Sequence, residues 1–227
     1  MSEGIRRSGD GDNESRASSG AEALPLIVCP RRALGELTAD PHSAFWSGLP
    51  CAVMRETISG RPPKQSTRVQ LAWDPFECRV LFHAEDANPW ATLTDRDAPL
   101  YQEEVVEVFL DPVGDLECYF EIEVNPLNAV LDLVLRRNRS GYVKDFAWRC
   151  EGLRTVVTKD AFGWRAEISI PFSALTPAPP SNGAQWRANF LRIDRPPGIE
   201  RELSAWSPTG RANFHLPQRF GFVEFGA

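Results

Sequence analysis

Glu107, Glu121 and Glu123 are the residues of this chain whose type and spacing most invite chemistry. Glu107 stands in Tyr-Gln-Glu-Glu-Val-Val-Glu-Val-Phe-Leu-Asp-Pro, residues 101–112, whose alternation reads as a strand. In that register Val105, Glu107, Phe109 and Asp111 share one face, and Val106, Val108 and Leu110 share the other. A carboxylate between two apolar neighbours needs a partner, because desolvating it alone is costly. It either closes an internal ion pair or waits for a polar ligand. The next strand-like segment puts Tyr119, Glu121, Glu123 and Asn125 on one face, opposite Phe120, Ile122 and Val124. If the two segments pair antiparallel, all three carboxylates can share one sheet face. That face could be solvated, pair with Arg187 or Arg192, hydrogen-bond a ligand, or divide the acid and nucleophile roles of a hydrolase.

The aromatic residues add a second signal. Trp90, Tyr101, Trp148, Trp206 and Phe214 all lie within three residues of Pro, Gly, Asn or Asp, so several rings sit in connections as well as in strand interiors. An aromatic face beside carboxylates and amides suits a sugar, whose C–H bonds pack on the ring while its hydroxyls seek hydrogen bonds. The bland alternative is that these rings cap the ends of a core. Catalytic and cofactor signatures are missing: the chain has no Gly-x-Ser-x-Gly, P-loop, His-Glu-x-x-His or Gly-x-Gly-x-x-Gly. His42, His83 and His215 are far apart with no ligand spacing, which argues against zinc. Met54 is the one internal methionine, so an axial haem ligand set is poorly supplied. Asp111-Pro-Val-Gly-Asp115 reads as a turn with calcium as the alternative occupant, and no cofactor is otherwise expected.

These residues must be positioned by strands. Thr67, Val69, Leu71 and Trp73 alternate against polar neighbours, and Asp74-Pro75 turns the chain into Cys78, Val80, Phe82 and Ala84. Leu131, Leu133 and Leu135 form another stripe, ending in a polar loop over 136–141. Further strands are expected over 152–159, 163–170, 185–193 and 219–226, with Phe-Ser-Ala-Leu after Pro171 as the one short turn of helix. The pattern predicts an all-β fold, an antiparallel, jelly-roll-like β-sandwich, in one domain over 23–227. Residues 1–22, rich in Ser, Gly, Asp and Arg without periodicity, are expected to be a disordered tail.

With 31 acidic against 25 basic residues and a net charge of -6, the chain lacks the basic face that nucleic acid or an anionic membrane demands. No apolar run approaches the ~20 residues of a membrane span, and the N-terminus has no leader-like apolar stretch. Five separated cysteines predict reduced thiols in a cytoplasmic protein, with Cys29, Cys51, Cys78 and Cys118 buried and unpaired.

From about Leu24 onward the chain resembles the family 9 carbohydrate-binding modules, and more closely the wide family 9-like group of bacterial proteins. The resemblance is carried by residues 100–112, by Tyr-Phe-Glu-Ile-Glu-Val-Asn-Pro-Leu-Asn at 119–128, and by Gly-Trp-Arg-Ala-Glu-Ile-Ser-Ile-Pro-Phe at 163–172. Segments 186–195, 205–210 and 214–221 add to it. It implies a β-sandwich that binds sugar and performs no chemistry. It also implies that Tyr101 and Phe214 stand where family members hold the terminal sugars of glucan or xylan chains between two Trp rings. Glu107 then matches the family's strand carboxylate, and Glu123 falls where the family has an Arg. The expected site is a cleft between Tyr101 and Phe214, with Glu107 on its floor, Glu123 alongside, and Trp206 or Asn213 on its rim. Its expected ligand is a small sugar or the end of a polysaccharide chain. A glycoside hydrolase using paired carboxylates is the competing reading.

Overall fold

The computed structural model describes residues 23–33 and 35–227; the tail expected over 1–22 lies outside them. The period-two stripes fold as strands β1 (Leu26–Cys29), β2 (Cys51–Val53), β3 (Arg55–Glu56), β4 (Thr67–Trp73), β5 (Glu77–Glu85), β6 (Val105–Asp111) and β7 (Cys118–Val124). They continue as β8 (Val130–Asn138), β9 (Gly141–Asp145), β10 (Arg154–Asp160), β11 (Gly163–Pro171), β12 (Gln185–Asp194), β13 (Glu202–Ala205) and β14 (Gly221–Phe225). The only α-helix among the described residues, α1, is the four-residue Phe172–Leu175 expected after Pro171.

Two sheets stack as the expected β-sandwich. One holds nine strands, running β1-β14-β12-β6-β7-β8-β9, with β13 beside β12 and β3 beside β13; the other runs β10-β11-β5-β4-β2. Every strand pair is antiparallel except β1 with β14. The main core lies between the sheets, where Val106, Val108, Leu110 and Ile122 meet Val69, Val80, Phe82 and Ile168. This is the packing that strands with one apolar face require.

The sheets are covered on their outer faces too. Val105, Phe109, Tyr119, Leu131, Leu133, Leu191 and Ile193 form a second apolar cluster outside the nine-stranded sheet, roofed by Leu100, Phe214 and Phe220 from connecting segments. Trp46 and Leu49 similarly pack on Ala72 and Leu81 of the other sheet. As a result every residue of β6 is buried. The carboxyls on its outer face are therefore largely covered by a loop layer.

All five cysteines are free, but only Cys29, Cys78 and Cys150 are buried. Cys51 is exposed and Cys118 half-buried, contrary to the expectation that both would be buried. Each is the first residue of its strand, and β2 is an outermost strand, so neither thiol is fully covered.

Candidate functional site

Glu107, Tyr101, Asn213 and Phe214 come together around one hollow of about 370 Å³ on the outer face of the nine-stranded sheet. Tyr101 stands on a single 3-10 turn, Leu100–Gln102, whose Leu100 is fully buried while the tyrosine is 37% exposed. The anchor holds the turn, and the ring projects over the sheet. Asn213 is exposed and accepts a bond from the backbone N–H of His215 at 3.0 Å, fixing the connection that carries Phe214. Phe214 is only 7% exposed, so most of its ring serves the roof of the second core and an edge remains for the hollow.

The floor is a group of three buried carboxyls. Glu107 of β6 lies directly opposite Glu123 of β7, and Glu121 is opposite Phe109, one diagonal step away. Oxygens of all three lie within 4.8 Å of one another. Glu107 and Glu121 face the hollow, whereas Glu123, with no exposed surface, sits behind them and does not line it. Burial, then the neighbouring Glu121 charge, raises Glu107 well above the ordinary carboxyl range. Glu123 is raised likewise by burial and by both neighbours. Glu121 is also raised by burial, opposed by Lys144, whose ammonium is 3.7 Å away. Of the three, only Glu121 has a cation within ion-pair distance among the described residues.

The arginines proposed as partners are engaged elsewhere. Arg192 points to the other face of the sheet and binds Asp86 at 2.7 Å and Glu104 at 3.1 Å, while Arg187 stacks over Phe222 at 4.9 Å. Trp206 departs from the expected rim. Its ring packs on Phe190 at 5.4 Å within the main core, and its edge lies where a Cβ on Gly221 would approach to 2.7 Å. The indole is held inward because Gly221 leaves room for it. In the Asp111–Asp115 turn, Asp111 accepts the N–H groups of Gly114 (2.7 Å) and Leu116 (3.0 Å), and Asp115 accepts that of Glu117 (2.9 Å). Those carboxylates close the turn on its own backbone.

A larger hollow, about 540 Å³, lies on the other sheet beside His83, Arg165 and the exposed Phe162. Arg165 there donates to Asp160 at 2.7 Å and lies 3.2 Å from the His83 ring nitrogen. The Tyr101 hollow differs in having buried carboxyl oxygens left over, Oε2 of Glu121 and both oxygens of Glu123.

The sequence pattern of the family described as carbohydrate family 9 binding domain-like matches residues 41–226. The chain belongs to that family. Comparison with curated proteins gives no match. Among solved structures, a candidate carbohydrate-binding protein from Bacteroides uniformis is similar, with a TM-score of 0.72 at 17% identity over 89% of this chain and all of its own. A family 9 carbohydrate-binding module from Caldicellulosiruptor kristjanssonii is similar in two complexes, each with a TM-score of 0.66 over 89% of this chain. The cellotriose complex is 18% identical over 94% of its own chain, and the glucose complex 20% over 97%. At these identities the likeness is one of fold.

Several residues of this family 9 domain's hollow escaped the sequence reading, among them Lys144, His215 and the exposed Arg201. Lys144 lies on β9, with its ammonium 5.5 Å from the centre of the Tyr101 ring. Its signal was the alternation Tyr142, Val143, Lys144 after Gly141, masked by the charged stretch before it. His215 stacks on Phe109 at 5.4 Å and 11°, hydrogen-bonds the Tyr119 hydroxyl at 2.9 Å, and is pushed down to about 4 by burial and Lys144. Nothing but its place next to Phe214 marked it. The family's Arg, which the resemblance puts at Glu123, has no counterpart there; the cation beside the carboxyls comes from Lys144.

Proposed function

We propose that this family 9 domain binds the end of a glucan chain, or a small sugar such as glucose, in the Tyr101 hollow without transforming it. The observation that carries this reading is the convergence of an exposed aromatic, an amide and a buried carboxyl around one hollow: Tyr101, Asn213 and Glu107. A pyranose ring packs on the free part of Tyr101 and against the edge of Phe214. Asn213, Lys144 and Glu107 then hydrogen-bond its hydroxyls, and a carboxyl that holds its proton can donate as well as accept. The sugar complexes of the Caldicellulosiruptor module support the choice of ligand class. One stacked aromatic contributes about 1 kcal/mol and a bond to a charged group about 1.5–3 kcal/mol. After the cost of association, micromolar to millimolar affinity is expected.

Hydrolysis fits the arrangement less well. A glycosidase sets one carboxyl on each side of the scissile bond. Here Glu107 and Glu121 belong to adjacent strands of one floor, and the opposite side of the hollow is formed by Ala212, Asn213 and Phe214. Calorimetric titration with glucose and cellotriose tests the proposal, alongside Tyr101→Ala. Binding by the parent protein, lost in the variant and with the oligosaccharide recovered intact, is the expected result. No binding to either sugar, or release of shorter sugars, would overturn it.

A further inference from the structure

Among the described residues two groups of three carboxyls each keep oxygens within 4.8 Å of one another, and in only one of them does a cation of the chain reach all three. Asp86, Glu104 and Asp194 lie with oxygens within 4.8 Å of one another, as do Glu107, Glu121 and Glu123. Arg192 fills the first group, reaching Asp86 at 2.7 Å, Glu104 at 3.1 Å and Asp194 at 3.7 Å from one buried guanidinium. In the second, Lys144 approaches Glu121 alone, from a side chain that is 31% exposed. Glu123 is fully buried behind the other two, and neither of its oxygens has a hydrogen-bond partner. Three desolvated carboxyls facing one another require protons or a positive charge at their centre.

We propose that Glu107, Glu121 and Glu123 form a binding site for a hard divalent cation of the calcium class, at the floor of the Tyr101 hollow. Calcium takes oxygen ligands at about 2.3–2.6 Å, so oxygens on opposite sides of one ion are about 4.6–5.2 Å apart. A group whose oxygens all fall within 4.8 Å of one another has the size of one such shell. Three carboxylates offer three to six ligand atoms, and the ion's remaining positions face the hollow, where solvent reaches Glu107 and Glu121. Oxygen-only donors select calcium over zinc, and the nearest imidazole nitrogen, Nδ1 of His215, is engaged by the Tyr119 hydroxyl at 2.9 Å. The site stands independently of whether a sugar binds above it.

The test is calorimetric titration of EDTA-stripped protein with calcium chloride, for the parent chain and for Glu121→Gln, Glu123→Gln and Lys144→Met, with melting curves in parallel. The parent chain is expected to take up calcium and to melt at a higher temperature with it. Glu121→Gln and Glu123→Gln each lose that event or weaken it at least tenfold. Lys144→Met tightens it by about tenfold, because the competing charge at the rim is gone. Should Glu123→Gln fail to fold, Glu121→Gln and Lys144→Met carry the test with opposite expected signs. No calcium uptake by the parent chain at millimolar concentration overturns the proposal. So does uptake that both glutamine variants leave unchanged, or a Glu123→Gln variant that melts higher while the parent chain ignores calcium. Glucose titrated in EDTA reports on the sugar reading separately.

Discussion

Glu107 and Glu123 face each other across neighbouring strands with both carboxyls buried and no base within ion-pair reach among the described residues. Like charges directly opposite in an antiparallel pair are destabilising. In a desolvated setting the pair favours protonation, and Glu121 beside it does the same.

That arrangement sets the direction of the pH response in metal-free buffer. The three carboxyls titrate above their ordinary value near 4.5 in the folded chain, so folding takes up protons. Their contribution to stability is fully present below about 4.5 and is lost as pH rises through the raised folded values. Glu123→Gln removes one of the protons that must be held. It is expected to be more stable than the parent at pH 8. The gain shrinks toward pH 5. Urea unfolding at the two pH values checks it; a loss of stability at pH 8 refutes it.

The two aromatics of the hollow should separate in stability. Tyr101 is over a third exposed, and Tyr101→Ala is expected to cost less than about 1 kcal/mol. Phe214 roofs the second core, and Phe214→Ala is expected to cost about 3–5 kcal/mol. Thermal melts of both variants decide this, and Phe214→Leu is the better variant for sugar titration.

Removing a cation has different consequences in the two carboxyl groups. Arg192→Met strands Asp86 and Glu104 in the interior and is expected to cost about 3–5 kcal/mol. Lys144→Met breaks one partly solvated pair, and less than about 1 kcal/mol is expected. Denaturant midpoints at neutral pH compare them directly.

Thiol labelling should divide the cysteines. Cys51 is expected to react in the native protein, slowly at neutral pH because partial burial raises its thiol, and faster in mild alkali. Cys29, Cys78 and Cys150 should react only after denaturation. Labelling followed by peptide mapping distinguishes the sites.

Most of the fold was legible because strands buried against a facing sheet advertise themselves by alternation: Thr67–Trp73, Glu77–Glu85 and Val105–Asp111 follow their stripes closely. The second cores were not, because their roofs are single residues such as Leu100, Phe214 and Phe220, spaced without period in connecting segments. For that reason nothing in the sequence separates a buried Glu121 from a solvated one, whereas the apolar neighbours of Glu107 mark its burial. Trp206 looked like a rim residue because Pro208 follows two residues later; only the room left by Gly221 shows why it turns inward. Strand β9 is short, polar and outermost, which leaves little in the sequence to separate it from the loop before it.

The place of β9 at the end of its sheet divides the hollow into parts of unequal permanence. Glu107 and Glu121 stand on central strands with a neighbour on each side, whereas Lys144 is carried by a strand hydrogen-bonded on one side only. Outermost strands open at lower free energy than central ones. A ligand seated against Lys144 therefore recruits a wall that was part of the time undone, and gives up some of its binding energy to complete it. Amide exchange should record this as slowing along Gly141–Asp145 on ligand binding, while the amides of Val105–Asp111 keep the rates they had before.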